Sequence, residues 1–304
     1  MIKDVLIVLS KHDFSYQAIE EGGYDIDCPY CGNTMPFRLL REIFFKYKLP
    51  GKSIWYNKRV NKGAKVIIVY NALITVEYMY WLRENNPYSR IIYLYTDPVD
   101  KAIQPEALPD EICEKWSSDF LDCEKYGLCR GLPGGYHTSW TVNKRQPEYD
   151  VLFVGRDKGR LKQLIDIKKI FEEMGLTTNF YITAHHRWQR FSNPIYRPLI
   201  PYSEVLDMVG KTRAILHLME GGYKSISIRV MESIIHNVKL ITDNKYLRHM
   251  EIYKASNFFI LGEDDIKRLP DFLAEPYEPY DEKYIDSLSY DRMIAHIVNA
   301  DCRR

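Results

Sequence analysis

Twice along this chain, short runs of β-branched and aromatic residues alternate with stretches of helical periodicity. That rhythm admits few architectures besides parallel α/β sheets. In the first half, strands are expected over residues 5–9, 53–56, 65–69 and 90–95, with helices over 36–47 and 75–84. From 97 to 140 the pattern is irregular and rich in Pro, Gly and Cys, and the polar stretch 143–148 reads as a linker. A clean strand over 149–154 then restarts the alternation. Strands follow over 179–182, 214–218, 239–242 and 258–261, helices over 161–174, 203–209 and 228–236, and a closing helix over 282–298. The expected fold is α/β: two Rossmann-like domains, 1–142 and 149–275, facing each other across a cleft, with residues 276–304 returning toward the first.

At 304 residues the chain is long enough for two cores, and its 42 Lys and Arg balance 41 Asp and Glu. That balance speaks against nucleic acid as a partner held by a global basic field. The apolar run at residues 5–9 is too short for a signal peptide, and the stretch 66–82 is broken by Asn71, Thr75 and Glu77. Six cysteines in a chain this long do not make a secreted disulfide framework. A cytoplasmic protein with reduced thiols is expected, with at most peripheral contact at the inner membrane face.

The densest chemical signal is Leu216-His217-Leu218-Met219-Glu220-Gly221-Gly222-Tyr223-Lys224-Ser225-Ile226-Ser227-Ile228-Arg229-Val230-Met231-Glu232. A buried strand ends in a Gly-Gly turn, and a helix begins shortly after. Glycine lets the backbone approach a ligand, and the helix N-terminus offers unpaired N–H groups to an anion. Lys224, Ser225 and Ser227 add a cation and hydroxyls, and Arg229 and Glu232 share one helical face. Such a carboxylate can accept ribose hydroxyls while the cations face a diphosphate. The same run also reads as an ordinary strand–turn–helix connection with a capping serine and a surface ion pair.

From Gly222 to Thr242, this Arg-x-x-Glu helix and the strand after it resemble the donor-binding segment of GT-B-type glycosyltransferases, in particular those of bacterial surface-polysaccharide assembly. An upstream Tyr202-Ser203-Glu204-Val205-Leu206 helix fits the same order. The likeness covers roughly residues 149–262. It implies a nucleotide-diphosphate sugar as donor and a glycan or lipid-linked acceptor; no cofactor is expected. The family's pair of glutamates one helical span apart is not reproduced, because Glu220 lies too far upstream of Glu232. The rival reading is a non-catalytic or zinc-stabilised ligand-binding or interaction protein of the same architecture.

Gly155-Arg156-Asp157-Lys158-Gly159-Arg160 follows the second half's first strand, where open α/β sheets bind ligands. Gly155, Arg156 and Lys158 join the donor-site candidates, together with Tyr202, Gly221, Gly222 and Tyr223. A solvated charged loop is the plainer account of that run. In the first half, His12, Asp13 and Asp97 end strands and are the candidates for deprotonating an acceptor hydroxyl. Each also reads as a turn residue or cap. Cys28-Pro29-Tyr30-Cys31-Gly32 resembles a glutaredoxin active site or half a zinc ribbon. The zinc version needs two further ligands from Cys113, Cys123 and Cys129, and no residue is assigned to a metal. His185-His186 reads as a loop pair. Of the 24 tyrosines, Tyr70, Tyr202 and Tyr223 fall at cleft positions. Tyr277, Tyr280, Tyr284 and Tyr290 are expected to pack the closing helix across the domains.

Overall fold

The computed structural model describes residues 4–32, 34–47, 49–60, 63–185, 189, 193–219 and 226–302. The chain divides into two compact units, Met1–Pro133 with Asp291–Arg304, and Gly134–Tyr290.

The first unit contains β1 (Val5–Val8), α1 (Tyr16–Glu21), β2 (Asp25–Asp27), α2 (Met35–Lys46), β3 (Val66–Tyr70), α3 (Val76–Asn85), β4 (Arg90–Tyr95), β5 (Glu114–Ser117), α4 (Phe120–Tyr126) and β6 (Cys129–Arg130). Its strands form one parallel sheet ordered β2-β1-β3-β4-β5-β6. Leu6, Ile7, Ile67, Ile68 and Tyr93 are fully buried, as strands covered on both faces must be.

The second unit contains β7 (Tyr149–Arg156), α5 (Leu161–Glu173), β8 (Thr178–Thr183), α6 (Tyr202–Val209), β9 (Thr212–His217), α7 (Ile228–His236), β10 (Lys239–Thr242), β11 (Phe258–Ile260), α8 (Leu269–Ala274) and α9 (Glu282–Ser287). Its five parallel strands are ordered β11-β10-β9-β7-β8. In both sheets the chain starts in the interior, steps once to one side, then crosses back. The strand order therefore reverses between the unit's first and third strands, which is where such sheets bind ligands.

Several local expectations give way. Residues 53–56 are not a strand. Gly51, with φ of +78°, opens a 3-10 turn over Lys52–Trp55, which buries Trp55 against Phe44 at 5.6 Å between rings. The stretch read as irregular supplies β5, α4 and β6. The sequence contains an Asp-x-Asp run, Asp25-Ile26-Asp27, and it forms edge strand β2. There Asp27 accepts hydrogen bonds from Asn57 Nδ2 (2.6 Å) and the Cys28 amide (2.9 Å). The closing helix is two helices, α9 and α10 (Tyr290–Asn299), broken at Leu288-Ser289.

α10 and the chain end pack on the first unit. Arg90 donates to both oxygens of Glu114 (2.8 and 2.7 Å) and to the carbonyls of Val298 (2.7 Å) and Ala300 (2.9 Å). This docking brings Cys302 to Cys129, with which it forms a disulfide, so two of the thiols expected to be reduced are paired. Replacing Arg90 by Met removes four charge-assisted bonds. Under reducing conditions it is expected to cost about 2 kcal/mol and to raise amide exchange over residues 298–302, read by exchange mass spectrometry.

Three of the late tyrosines make contacts inside the second unit. Tyr277 donates to the Ser233 carbonyl (3.0 Å) and Tyr280 to that of Ile252, while Tyr290 stacks on His137 at 4.4 Å. The four-cysteine zinc grouping does not form. Cys113 and Cys123 are buried in the first unit's apolar core, burial pushing their thiols up to about 12 and about 11, and Cys129 is taken by Cys302. Cys28 is a buried thiol outside any disulfide and Cys31 an exposed one. Among the described residues, no helix is long and apolar enough to cross a membrane.

Candidate functional site

The ends of β7, β9 and β10 are laced together around the reversal in the second sheet. Asp157, only 2% exposed, organises the loop after β7. Its carboxylate accepts from the amides of His185 (2.8 Å) and Gly159 (3.2 Å) and from the Tyr196 hydroxyl (3.3 Å). Lys158 and Gly159 take left-handed backbone, φ +46° and +79°, and this turns the chain back toward β9. Arg160 then donates to the carbonyls of Leu218 (2.5 Å) and Met219 (3.0 Å). The Met219 amide donates to Asp243 Oδ1 (2.7 Å), just past β10. Burial raises the Asp243 carboxyl, with the Met219 amide and Arg160 opposing the shift.

The helix that begins near these strand ends supplies a second set of contacts. Ser227 caps α7, its Oγ accepting from the Val230 amide (3.4 Å). In the first turn, Arg229 reaches back to β7, donating to the Val154 carbonyl (3.1 Å), and forward to Glu232 Oε2 (2.5 Å). Glu232 is fully buried, and its other oxygen accepts from the Tyr202 hydroxyl at the start of α6. The carboxylate envisaged for ribose hydroxyls thus has one oxygen on Arg229 and the other on Tyr202. Burial, with Glu232 alongside, raises the Tyr202 phenol well above its ordinary value.

Behind this triad lies an aromatic wall. Trp140 sits 4.5 Å from Tyr202 between ring centres, and Tyr136 lies 5.2 Å from Trp140. The Tyr136 hydroxyl donates to the Trp140 carbonyl (3.1 Å) and meets His236 Nε2.

His217, the last residue of β9, reports the local field. Burial and the charges of Arg229, Arg160 and Lys158 push its pKa down to about 3, so the imidazole is neutral at physiological pH. Three cations acting on one imidazole at the reversal of an α/β sheet are electrostatically suited to an anion.

Gly155, Arg156, Lys158, Tyr202, Ser227, Arg229 and Glu232 all belong to this set of strand ends and helices. Gly221, Gly222, Tyr223, Lys224 and Ser225 lie outside the described residues, as do Glu220 and His186. Arg160, His217, Asp157, Tyr136 and Trp140 join the site without standing out as site residues in the sequence. Arg160 and His217 were discoverable from their places at the mouths of buried strands. The other three gain meaning only from contacts between distant segments.

In the first unit, His12 and Asp13 follow β1, and Asp97 follows β4, the strands on either side of β3. His12 is exposed, with Arg38 Nη1 3.0 Å from its Nε2. Asp13 accepts from the Ser15 amide (2.9 Å) and hydroxyl (2.6 Å) before α1. Asp97 lies 3.4 Å from Asn71 Nδ2, and Asn71 Oδ1 in turn holds the Thr96 amide (2.9 Å) and hydroxyl (2.6 Å).

Two parallel α/β units of this strand order, one after the other, define a two-domain Rossmann-like fold of GT-B type. In sequence the chain matches no family model and no curated protein. In fold it is similar to the apo form of the lipopolysaccharide outer core galactosyltransferase WaaB. The TM-score is 0.52 at 12% identity, over 97% of this chain and 98% of that one. More distant likenesses are to AviGT4, a glycosyltransferase of avilamycin A biosynthesis (TM-score 0.46, 12% identity, 89% and 87% covered), and to a Listeria monocytogenes protein assigned as a UDP-N-acetylglucosamine 2-epimerase (0.47, 10%, 98% and 97%).

Proposed function

We propose that this chain is a glycosyltransferase of GT-B type. It moves a sugar from a nucleotide-diphosphate donor to an acceptor hydroxyl, in the assembly of a cell-surface glycan. The observation that carries the reading is the gathering of cations at the reversal of the second sheet. There Arg160 reaches the Leu218 and Met219 carbonyls, Arg229 that of Val154, and Lys158 lies in the loop after β7, a positive field that also acts on His217. A sugar diphosphate is the substrate class such a field suits, because negative charge grows on the departing diphosphate in the transition state. Arg156, Lys158 and Arg229 are the groups to stabilise it. The α7 N-terminus contributes about 0.3–1 kcal/mol, so the side chains carry most of the effect. Tyr202 and Glu232 hold Arg229, and Ser227 fixes the start of its helix. Gly155, Gly221, Gly222, Tyr223, Lys224 and Ser225 complete the donor segment.

The first unit takes the glycan or lipid-linked acceptor, with His12, Asp13 and Asp97 as the candidates for receiving its proton. Nucleotide sugars place the reaction in the cytoplasm. The likeness in fold to a lipopolysaccharide galactosyltransferase supports the surface-glycan assignment.

A thermal-shift series with UDP, GDP, CMP and dTDP tests the donor site. A nucleotide present at a hundred times its Kd stabilises the native state by about 2.7 kcal/mol, an upward shift of several degrees. Arg156 and Lys158 are exposed. The double substitution Arg156→Ala, Lys158→Ala is therefore expected to abolish the shift while leaving the unliganded midpoint in place. No shift with any of the four nucleotides refutes the assignment.

A further inference from the structure

Helix α2 turns Phe44 and Phe45 inward but leaves most of its apolar residues outside. Its most buried residue is a cation: Arg41 is 8% exposed, donates to the Cys31 carbonyl (3.1 Å) and lies 5.0 Å above the Tyr30 ring. Its exposed residues, Glu42 and Lys46 apart, are apolar. Met35, Phe37, Leu39, Leu40 and Ile43 are each 45–56% exposed, and Ile54 on the adjoining 3-10 turn is 62% exposed. Soluble monomers rarely leave such a contiguous apolar face in water, and where one occurs it marks an interaction surface.

Charge identifies the occupant. Between Cys28 and Gly63 the sequence carries eight Lys or Arg and one acid, Glu42. The remainder of the chain carries 34 basic against 40 acidic residues. Nearly all the positive excess of an otherwise acidic protein is thus concentrated around one apolar helix. Two copies of such a face would repel each other on contact. A nucleic acid would use the cations and gain nothing from Leu39 or Ile43. An anionic lipid surface uses both, since acyl chains receive the apolar residues while headgroups meet the cations.

We propose that α2, with the turn over Lys52–Trp55, is an interfacial helix that docks the first unit on an anionic bilayer. Met35, Leu39, Leu40, Ile43 and Ile54 enter the acyl boundary, and Arg38, Lys46, Lys58 and Arg59 engage headgroups. The inference stands independently of the transferase reading, because none of these residues belongs to the donor site.

Vesicle co-sedimentation with the full chain provides the test, comparing pure phosphatidylcholine with a 70:30 mixture with phosphatidylglycerol in low salt. The wild type is expected to bind the anionic vesicles at least tenfold more tightly and to be released by high salt. Leu39→Ser with Ile43→Ser, both exposed positions, should weaken binding about tenfold at an unchanged melting midpoint. Lys46→Gln and Lys58→Gln should each weaken binding to anionic vesicles about fivefold. Absence of wild-type binding in low salt overturns the proposal, as does binding unaltered in the Leu39, Ile43 double variant. A wild-type dimer seen by light scattering and dissolved by that same variant also overturns it, by placing a second copy on the face.

Discussion

Glu232→Ala is expected to cost about 3–5 kcal/mol of folding stability, the range for removing one partner of a buried ion pair. That is a large share of the 5–15 kcal/mol that holds a typical domain together. The carboxylate is fully buried between Arg229 and the Tyr202 hydroxyl. Its removal leaves a largely buried guanidinium with the Val154 carbonyl as its remaining hydrogen-bond partner among the described residues, and takes the Glu232 oxygen away from the Tyr202 phenol. Glu232→Gln keeps the shape and a carbonyl for Tyr202 but loses the charge, and should cost roughly half as much. Tyr202→Phe removes only the hydroxyl, at about 1–3 kcal/mol. Because all three groups share one carboxylate, the double variant Glu232→Ala, Tyr202→Phe should be markedly less destabilised than the sum of the singles. Urea unfolding of the four proteins measures this directly. Additive costs, or a Glu232→Ala midpoint equal to wild type, would show that the triad is not a unit.

The contrast between what was legible in the sequence and what was not follows from the same physics. β3, β4, β7, β9 and β10 announce themselves because parallel strands covered on both faces read as unbroken apolar runs. β2 does not, since Asp-Ile-Asp is a poor strand by composition. It is stabilised by β1 beside it and by Asn57, thirty residues away, which satisfies Asp27. Residues 53–56 show the opposite error, because a short apolar run carries no periodicity with which to tell strand from turn. Residues 36–47 were recognisable as a helix, but which face is buried depends on Tyr30 and Cys31 drawing Arg41 inward. In the site, Arg229 and Glu232 were visible as a three-residue spacing. What Glu232 touches was not, because Tyr202 lies thirty residues upstream and the aromatic wall behind it comes from Tyr136 and Trp140. Asp157 looked like one charge in a solvated loop. It is instead the buried acceptor that gives the loop its shape, as only the positions of His185 and Tyr196 reveal.

Acid should weaken this protein before its carboxylates begin to titrate, and two histidines set the effect. His236 is 9% exposed, with its Nε2 at the Tyr136 hydroxyl. Burial, with Lys144 nearby, lowers its pKa to about 4, while burial and three cations lower that of His217 to about 3. In the unfolded chain both imidazoles protonate near 6.5. Between about pH 6.5 and pH 4 the unfolded state therefore binds more protons than the folded state, and stability falls as pH falls. The histidine contribution is complete above pH 6.5 and is lost progressively through the folded values. Asp243, raised by burial, pulls the other way, but only nearer the carboxylate range. The window from pH 7.5 to 5 thus belongs mainly to the imidazoles. His217 is partly solvated and its share is discounted accordingly, leaving an expected loss of about 2–3 kcal/mol over that window. His236→Gln removes one of the two titrations. It should lower stability at pH 7.5 through the lost Tyr136 contact, yet flatten the pH dependence by about half. Urea unfolding at pH 7.5, 6 and 5 separates these effects, because a merely structural role for His236 would shift the whole curve without changing its slope. A wild-type profile flat over that range would contradict the neutral, cation-facing state of His217 and, with it, the electrostatic ground for placing an anion at the end of β9.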